Sequence, residues 1–203
     1  MTNYAIVSGS HRAKSQSHRI SLFIQALLQA DKKAAACVID LAGNPLPLWD
    51  ESVWEGDPKW KALWGPISEK LTQADAVVIV SPEWGGMVPA GLKNFFLLCS
   101  KQELSHKPGL IVGVSSGHGG AYPVAELRMS SYKNTQFCYI PEHVIVRGAD
   151  EALNGPEQGA SKEDLYARGR LRYALAVLEQ YALALRQVRR SGVVDQKKYP
   201  YGM

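Results

Sequence analysis

Residues 4–28 read YAIVSGSHRAKSQSHRISLFIQALL, and this stretch decides the fold. Tyr4 to Val7 is an apolar run of strand length, while Ile20, Phe23, Ile24, Leu27 and Leu28 recur at helical spacing on one face. Between them, Ser8 to Ser17 is polar throughout apart from Ala13 and holds one glycine. A buried strand that feeds an amphipathic helix through a polar loop is the first half of a parallel βαβ unit.

The same alternation continues to the end of the chain. Ala35 to Leu41 reads as a second strand, and Trp60, Leu63, Trp64, Ile67 and Leu71 mark the core face of one helix after Pro58. Ala76 to Val80 is a continuous apolar run of the kind covered on both faces. Pro89 opens a helix to about Ser100, Leu110 to Val114 is a fourth strand, and Ala121 begins a helix to about Ser131. Val144 to Arg147 reads as a fifth strand. Ser161 with Asp164 resembles a capping box for a long final helix carrying Leu171, Leu175, Leu178 and Leu185. Five strands alternating with five helices predict an α/β three-layer sandwich: a five-stranded parallel sheet with helices on both faces, in the flavodoxin-like order 2-1-3-4-5.

The 203 residues, 46% hydrophobic, suffice for one core and are few for two, so residues 1–203 are expected to form a single domain. A net charge of +4 comes from Lys and Arg spread along the chain and favours anionic small ligands only weakly. The denser stretch from Arg186 to Arg190, with Lys197 and Lys198, lacks the interleaved aromatics of a base-stacking surface and reads as a solvated helix end and tail, so no nucleic-acid partner is expected. Cys37, Cys99 and Cys138 form no CxxC pair and no zinc spacing, which predicts free thiols and no metal. Asn3 to Ser8 is too short for a secretory apolar region, and no run approaches the ~20 residues of a membrane span. A soluble, cytoplasmic protein without membrane insertion is the expectation.

In an open parallel sheet, ligands bind beyond the carboxyl ends of the strands, so the loops after strands one, three and four decide function. The first, Ser8 to Ser17, offers hydroxyls, Arg12 and a helix N-terminus, the donor set a phosphate monoester needs. Its serines could equally cap the helix. It lacks GxxxxGK[ST] and GxGxxG, which weighs against nucleoside triphosphates and classical dinucleotide binding. The second, Ser81-Pro82-Glu83-Trp84-Gly85-Gly86-Met87-Val88-Pro89, lets a backbone approach a flat ligand and gives a Trp to cover it, or is a plain strand-to-helix turn. The third, Ser115-Ser116-Gly117-His118-Gly119-Gly120-Ala121, presents successive amides at a helix start.

Together these motifs resemble the NADPH-dependent FMN reductase family, which includes quinone, azo-dye and chromate reductases. The family pairs a GSxRxxS loop with PxYxxxxPxxLKN and a Gly-Gly loop; here Gly9, Ser10, Arg12 and Ser15 meet the first, and Pro82, Trp84, Pro89, Leu92, Lys93 and Asn94 the second. The resemblance covers about the first three-quarters of the chain. It implies that Ser10, Arg12, Ser15 and Ser17 hold the FMN phosphate, with Gln16 contributing its backbone. It further implies that Pro82, Glu83, Trp84, Gly85 and Gly86 line the isoalloxazine, and that Ser115, Gly117, Gly119 and Gly120 meet its other edge. Trp84 stands where the family usually has Tyr, the Gly117 loop is one residue shorter than SxGxxGG, and Leu97 stands where many members carry Asp.

The implied activity is transfer of hydride from NADPH or NADH to FMN, and of electrons onward to a small acceptor such as a quinone or free flavin. The protein supplies orientation and donors near the ring's pyrimidine edge, where the Gly119 and Gly120 amides are the candidates. No protein nucleophile is required. His118 is a candidate proton donor to a reduced quinone, against the plainer reading of an exposed loop histidine. Glu83 reads as meeting the ring edge or being solvated. Trp60 and Trp64 read as core or interface, Trp49 and Trp54 as an active-site rim, and Met87 as a rim contact. Glu142 and His143 are adjacent on a strand, point to opposite faces and are discounted as an acid/base pair. The family implies a homodimer or homotetramer. A flavodoxin-type electron carrier without substrate turnover is the alternative, disfavoured by the basic charge and by Arg12, and a flavin-free sensory module is a further one.

Overall fold

The computed structural model describes residues 1–32, 34–100 and 102–202. The chain runs β1 (Asn3–Ser8), α1 (Gln16–Lys32), β2 (Ala35–Asp40), α2 (Ser52–Glu55), α3 (Pro58–Leu63), α4 (Gly65–Gln73) and β3 (Ala76–Pro82). It continues α5 (Ala90–Leu98), β4 (Pro108–Val114), α6 (Ala121–Met129), β5 (Cys138–Val146) and α7 (Lys162–Arg190). All four strand pairings are parallel, and the order β2-β1-β3-β4-β5 is the flavodoxin-like one.

Alternate residues of each strand enter different cores because side chains alternate across a sheet. Tyr4, Ile6, Val78, Val80, Leu110 and Val112 pack with Ile20, Ile24 and Leu28 of α1 and with Leu171, Leu175 and Leu178 of α7. Ala5, Val7, Val77, Ile79 and Ile111 face the opposite way, onto Trp60, Trp64, Leu71, Leu92, Phe95 and Leu127. β3 and β4 are buried along their whole length, as apolar runs without alternation require.

Four expectations are corrected. The single helix after Pro58 is two, divided at Trp64, since Pro66 in the first turn of α4 has no N–H to continue the ladder; Leu63 is consequently exposed while Trp60, Trp64 and Leu71 are buried. The short α2, ended by the left-handed Gly56, adds a further helix, so seven helices rather than five are present among the described residues. β5 begins at Cys138 rather than Val144, because the pairing register shifts between Gly109 and Ile111 and the irregularity accommodates Pro141 on an edge strand. The C-terminal arginines are docked rather than wholly solvated: Arg186 pairs with Asp75 at 2.7 Å, and Arg189 reaches Asp75 and donates to the His106 carbonyl at 2.8 Å. Burial pulls the Asp75 carboxyl up, but the Asn3 amide, Arg186 and Arg189 outweigh it and hold it below the usual range.

Ser161 accepts from the Asp164 amide as expected of an N-cap, whereas the Asp164 carboxylate accepts from the Leu153 amide and from Arg168. The three cysteines are free thiols, each pushed up by burial. No helix among the described residues is long and apolar enough to cross a membrane.

Candidate functional site

The three loops meet at one edge of the sheet, and named contacts tie them together. Behind the first, the Gly9 amide donates to the Val80 carbonyl at 2.8 Å, and a Cβ on Gly9 would come within 2.6 Å of Leu92. Only glycine lets β1 end so close to α5. The Gly43 amide in turn donates to the His11 carbonyl at 3.0 Å, fastening the segment after β2 to the same loop.

The first turn of a helix leaves amides without intrahelical acceptors. In α1, Ser15 Oγ accepts from the His18 amide at 3.1 Å, so Ser15 is a cap, as its alternative reading required. The amides of Gln16 and Ser17 keep no such partner. Ser17 Oγ is buried and also unpaired, while Ser10, likewise buried, accepts only from the Arg12 amide at 3.3 Å. The Arg12 side chain is exposed and meets no carboxylate among the described residues. Gln16 turns its own side chain away, to Asp150 at 2.7 Å and to Arg19. An orphaned buried hydroxyl, two open amides and a free guanidinium at the positive end of a 17-residue helix fit a phosphate group.

After β3 the chain makes a tight hairpin. The Trp84 and Met87 backbones bond to each other in both directions, at 3.0 and 3.1 Å, with Gly85 and Gly86 at φ of 57° and 73°. Two consecutive positive φ values are what a two-residue turn of this kind demands, and they account for the glycine pair. The Trp84 ring meets His11 edge to face with centroids 4.6 Å apart, which couples this hairpin to the first loop. Met87 is exposed, and Val88 is fixed from α6, where Glu126 accepts its amide at 2.7 Å and also pairs with Lys93. Burial raises the Glu126 carboxyl, but those two partners outweigh it and hold it low.

The Gly loop after β4 is held from both sides. Arg147 Nε donates to the His118 and Gly119 carbonyls at 2.7 and 3.0 Å. From the other side the Glu83 carboxylate accepts the Gly120 amide at 2.6 Å and the Tyr122 amide at 3.3 Å. Glu83 is therefore engaged by the Gly loop rather than simply solvated, and of the two amides expected to face a ligand, Gly120's is already engaged. Gly119 leaves room for this contact, since a Cβ there would stand 2.7 Å from Glu83 Oε1. His118 is exposed.

The tryptophans between β2 and β3 fall into two pairs. Trp60 and Trp64 are buried and donate to Ser52 and Glu103. Trp49 and Trp54 contact each other edge to face in the segment after β2, with Trp54 exposed. Asn94 holds that segment: its Oδ1 accepts the Trp49 amide and its Nδ2 donates to the Pro47 carbonyl, both at 2.7 Å. His11, Arg147 and Glu126 were not singled out by sequence; only the LKN tripeptide pointed towards Asn94. Glu142 pairs with Arg170, so it has no catalytic partner in His143. No cluster of metal-ligand side chains exists among the described residues.

A family model described as NADPH-dependent FMN reductase matches residues 2–151. A subunit of an NADH:(hydroxy)cinnamate reductase from Vibrio ruber is 31% identical over 59% of this chain and 56% of that protein. A quinone reductase from Pseudomonas putida is 29% identical over 58% of this chain and 62% of its own length. The chain thus matches these relatives over less than two-thirds of their length. Among solved structures, a flavoenzyme NAD(P)H:(acceptor) oxidoreductase from Paracoccus denitrificans superposes with a TM-score of 0.65 at 18% identity, covering 89% of this chain and 97% of that one. At that identity the likeness is one of fold.

Proposed function

The chain belongs to the NADPH-dependent FMN reductase family, and on that premise we propose that residues 1–203 form one FMN-binding unit that oxidises NADPH or NADH and reduces a small acceptor such as a quinone. The observation that carries this reading is the set of unsatisfied donors at the start of α1, lying beside the Trp84 hairpin. Ser10, Arg12 and Ser17, with the amides of Gln16 and Ser17, hold the phosphate; Ser15 contributes by capping the helix whose open end faces it. Pro82 to Gly86 line the ring on one side, and Ser115, Gly117 and Gly119 on the other. When bound, FMN supplies hydride acceptance from the nicotinamide and electron return to the acceptor.

The protein's own contribution is placement. Arg147 and Glu83 hold the Gly loop, Glu126 holds Val88, and Asn94 holds the Trp49 segment, so that the rim is braced by the protein's own contacts. His118, exposed on the Gly loop, is a candidate proton donor to a reduced acceptor, beside the plainer reading of a solvated loop histidine. Steady-state oxidation of NADPH or NADH in the absence of oxygen tests the reading: it should require both FMN and an added quinone. Oxidation independent of added flavin in a flavin-stripped preparation, or none in its presence, would contradict it.

A further inference from the structure

Resting on the FMN reading above, we propose that Glu83 sets the reduction potential of the bound flavin by occupying, with a negative charge, the helix end that would otherwise stabilise the reduced ring. Helix α6 has Gly120 as its N-cap, a residue with no side chain to satisfy the first amides, and no local side chain does so. The acceptor comes instead from 37 residues earlier: Glu83 takes the Gly120 amide at 2.6 Å and the Tyr122 amide at 3.3 Å. Its own amide continues the β3 to β4 pairing by donating to the Val114 carbonyl at 2.9 Å, so the side chain is launched from a fixed backbone.

Glu83 thereby joins the two loops that would enclose a flat ligand, lying between Pro82 and Trp84 in one and against Gly119 and Gly120 in the other. A ring that touches both loops lies beside this carboxylate. Two electrostatic consequences follow, with the same sign. The charge itself disfavours negative charge arriving nearby, and it consumes the positive field of the α6 N-terminus that would otherwise favour it. Glu83 is thus a positioning residue for the loops whose charge also lowers the potential of what they hold. That bias favours passing electrons on to the acceptor.

The test is the midpoint potential of FMN bound to wild type, Glu83→Gln and Glu83→Ala, measured by equilibration with a redox dye, with the melting temperature of each. Gln keeps an oxygen that can accept from Gly120 but carries no charge. It should strengthen binding of two-electron-reduced over oxidised flavin about tenfold, an upward shift of about 30 mV for a two-electron couple. Ala should move the potential in the same direction and also lower the melting temperature, because the helix loses its cap. A lower melting temperature with an unmoved potential in both variants marks the carboxylate as a helix cap alone and overturns the proposal. Wild type that takes up no FMN overturns the functional reading itself, a different failure from equal potentials in proteins that do bind it.

Discussion

His11 and Trp84 meet edge to face, with ring centroids 4.6 Å apart and planes inclined at 84°, although 73 positions separate them in the chain. The contact joins the loop read as holding a phosphate to the hairpin read as covering a ring. His11→Ala should loosen Trp84 and cost roughly 0.5 to 1.5 kcal/mol of flavin affinity, the usual worth of such a pair. Because the effect acts through the ring cover, FMN and riboflavin should weaken alike. Fluorescence titration of both flavins checks this, and a loss confined to FMN would place His11 at the phosphate instead.

Arg12 gives the opposite pattern. Its guanidinium is exposed and unpaired among the described residues, so removing it breaks no internal contact. Arg12→Ala should cost about 1.5 to 3 kcal/mol of FMN affinity, about ten- to a hundredfold, and leave riboflavin binding almost unchanged. Thermal stability of the flavin-free protein should not move. Equal losses for the two flavins, or none for FMN, would remove Arg12 from the site.

Lys107 predicts a pH dependence far from the site. Its Nζ donates to the Leu71 and Thr72 carbonyls at 2.6 and 2.8 Å, and burial, aided by Arg189, lowers its pKa to about 8 against the partial offset of Asp75 and Glu103. The unfolded chain therefore holds more protons on this residue between about pH 8 and the ordinary lysine value near 10.4, so stability from this group rises with pH across that window. Urea unfolding of wild type and Lys107→Met isolates it from the thiols, which act in the other direction. The wild-type advantage should grow by up to about 3 kcal/mol from pH 7 to 10. A constant difference would show that folding leaves the lysine unshifted.

Assembly follows from the Trp-rich segment. Asn94 pins residues 47–49 to α5, which sets exposed Leu48 and Trp54 near a helix whose Leu97 is 60% exposed. Apolar surface of this kind is usually covered, and a second copy of the chain would cover it. Light scattering at micromolar concentration should report a dimer or a pair of dimers, and Leu97→Glu should shift it to monomer. A monomeric wild type contradicts this.

The parts legible in the sequence were those set by local pattern. Tyr4 to Val7, Ala76 to Val80 and Leu110 to Val114 are apolar runs that could only be buried strands, and their spacing through helices left a parallel sheet. What escaped depended on partners distant in sequence. The first half of β5, Cys138 to His143, has no strand signal of its own because the irregular register of an edge strand is invisible in one segment. Arg186 and Arg189 looked solvated because Asp75 lies more than a hundred residues earlier. Glu83 could be assigned to ring or solvent by sequence, but not to Gly120, since a helix cap delivered from another loop leaves no local signature.

On the reading proposed above, three loops of this chain hold a flavin that exchanges electrons with a nicotinamide and a small acceptor. The most direct test of that reading is to load the protein with FMN, add excess NADPH or NADH without oxygen, and then add a quinone while following the flavin absorbance. The protein should be yellow, bleach with the nicotinamide and regain its colour with the quinone. A protein that stays colourless after exposure to FMN, or one that is yellow and unchanged by either nicotinamide, would contradict it, the latter pointing to an electron carrier.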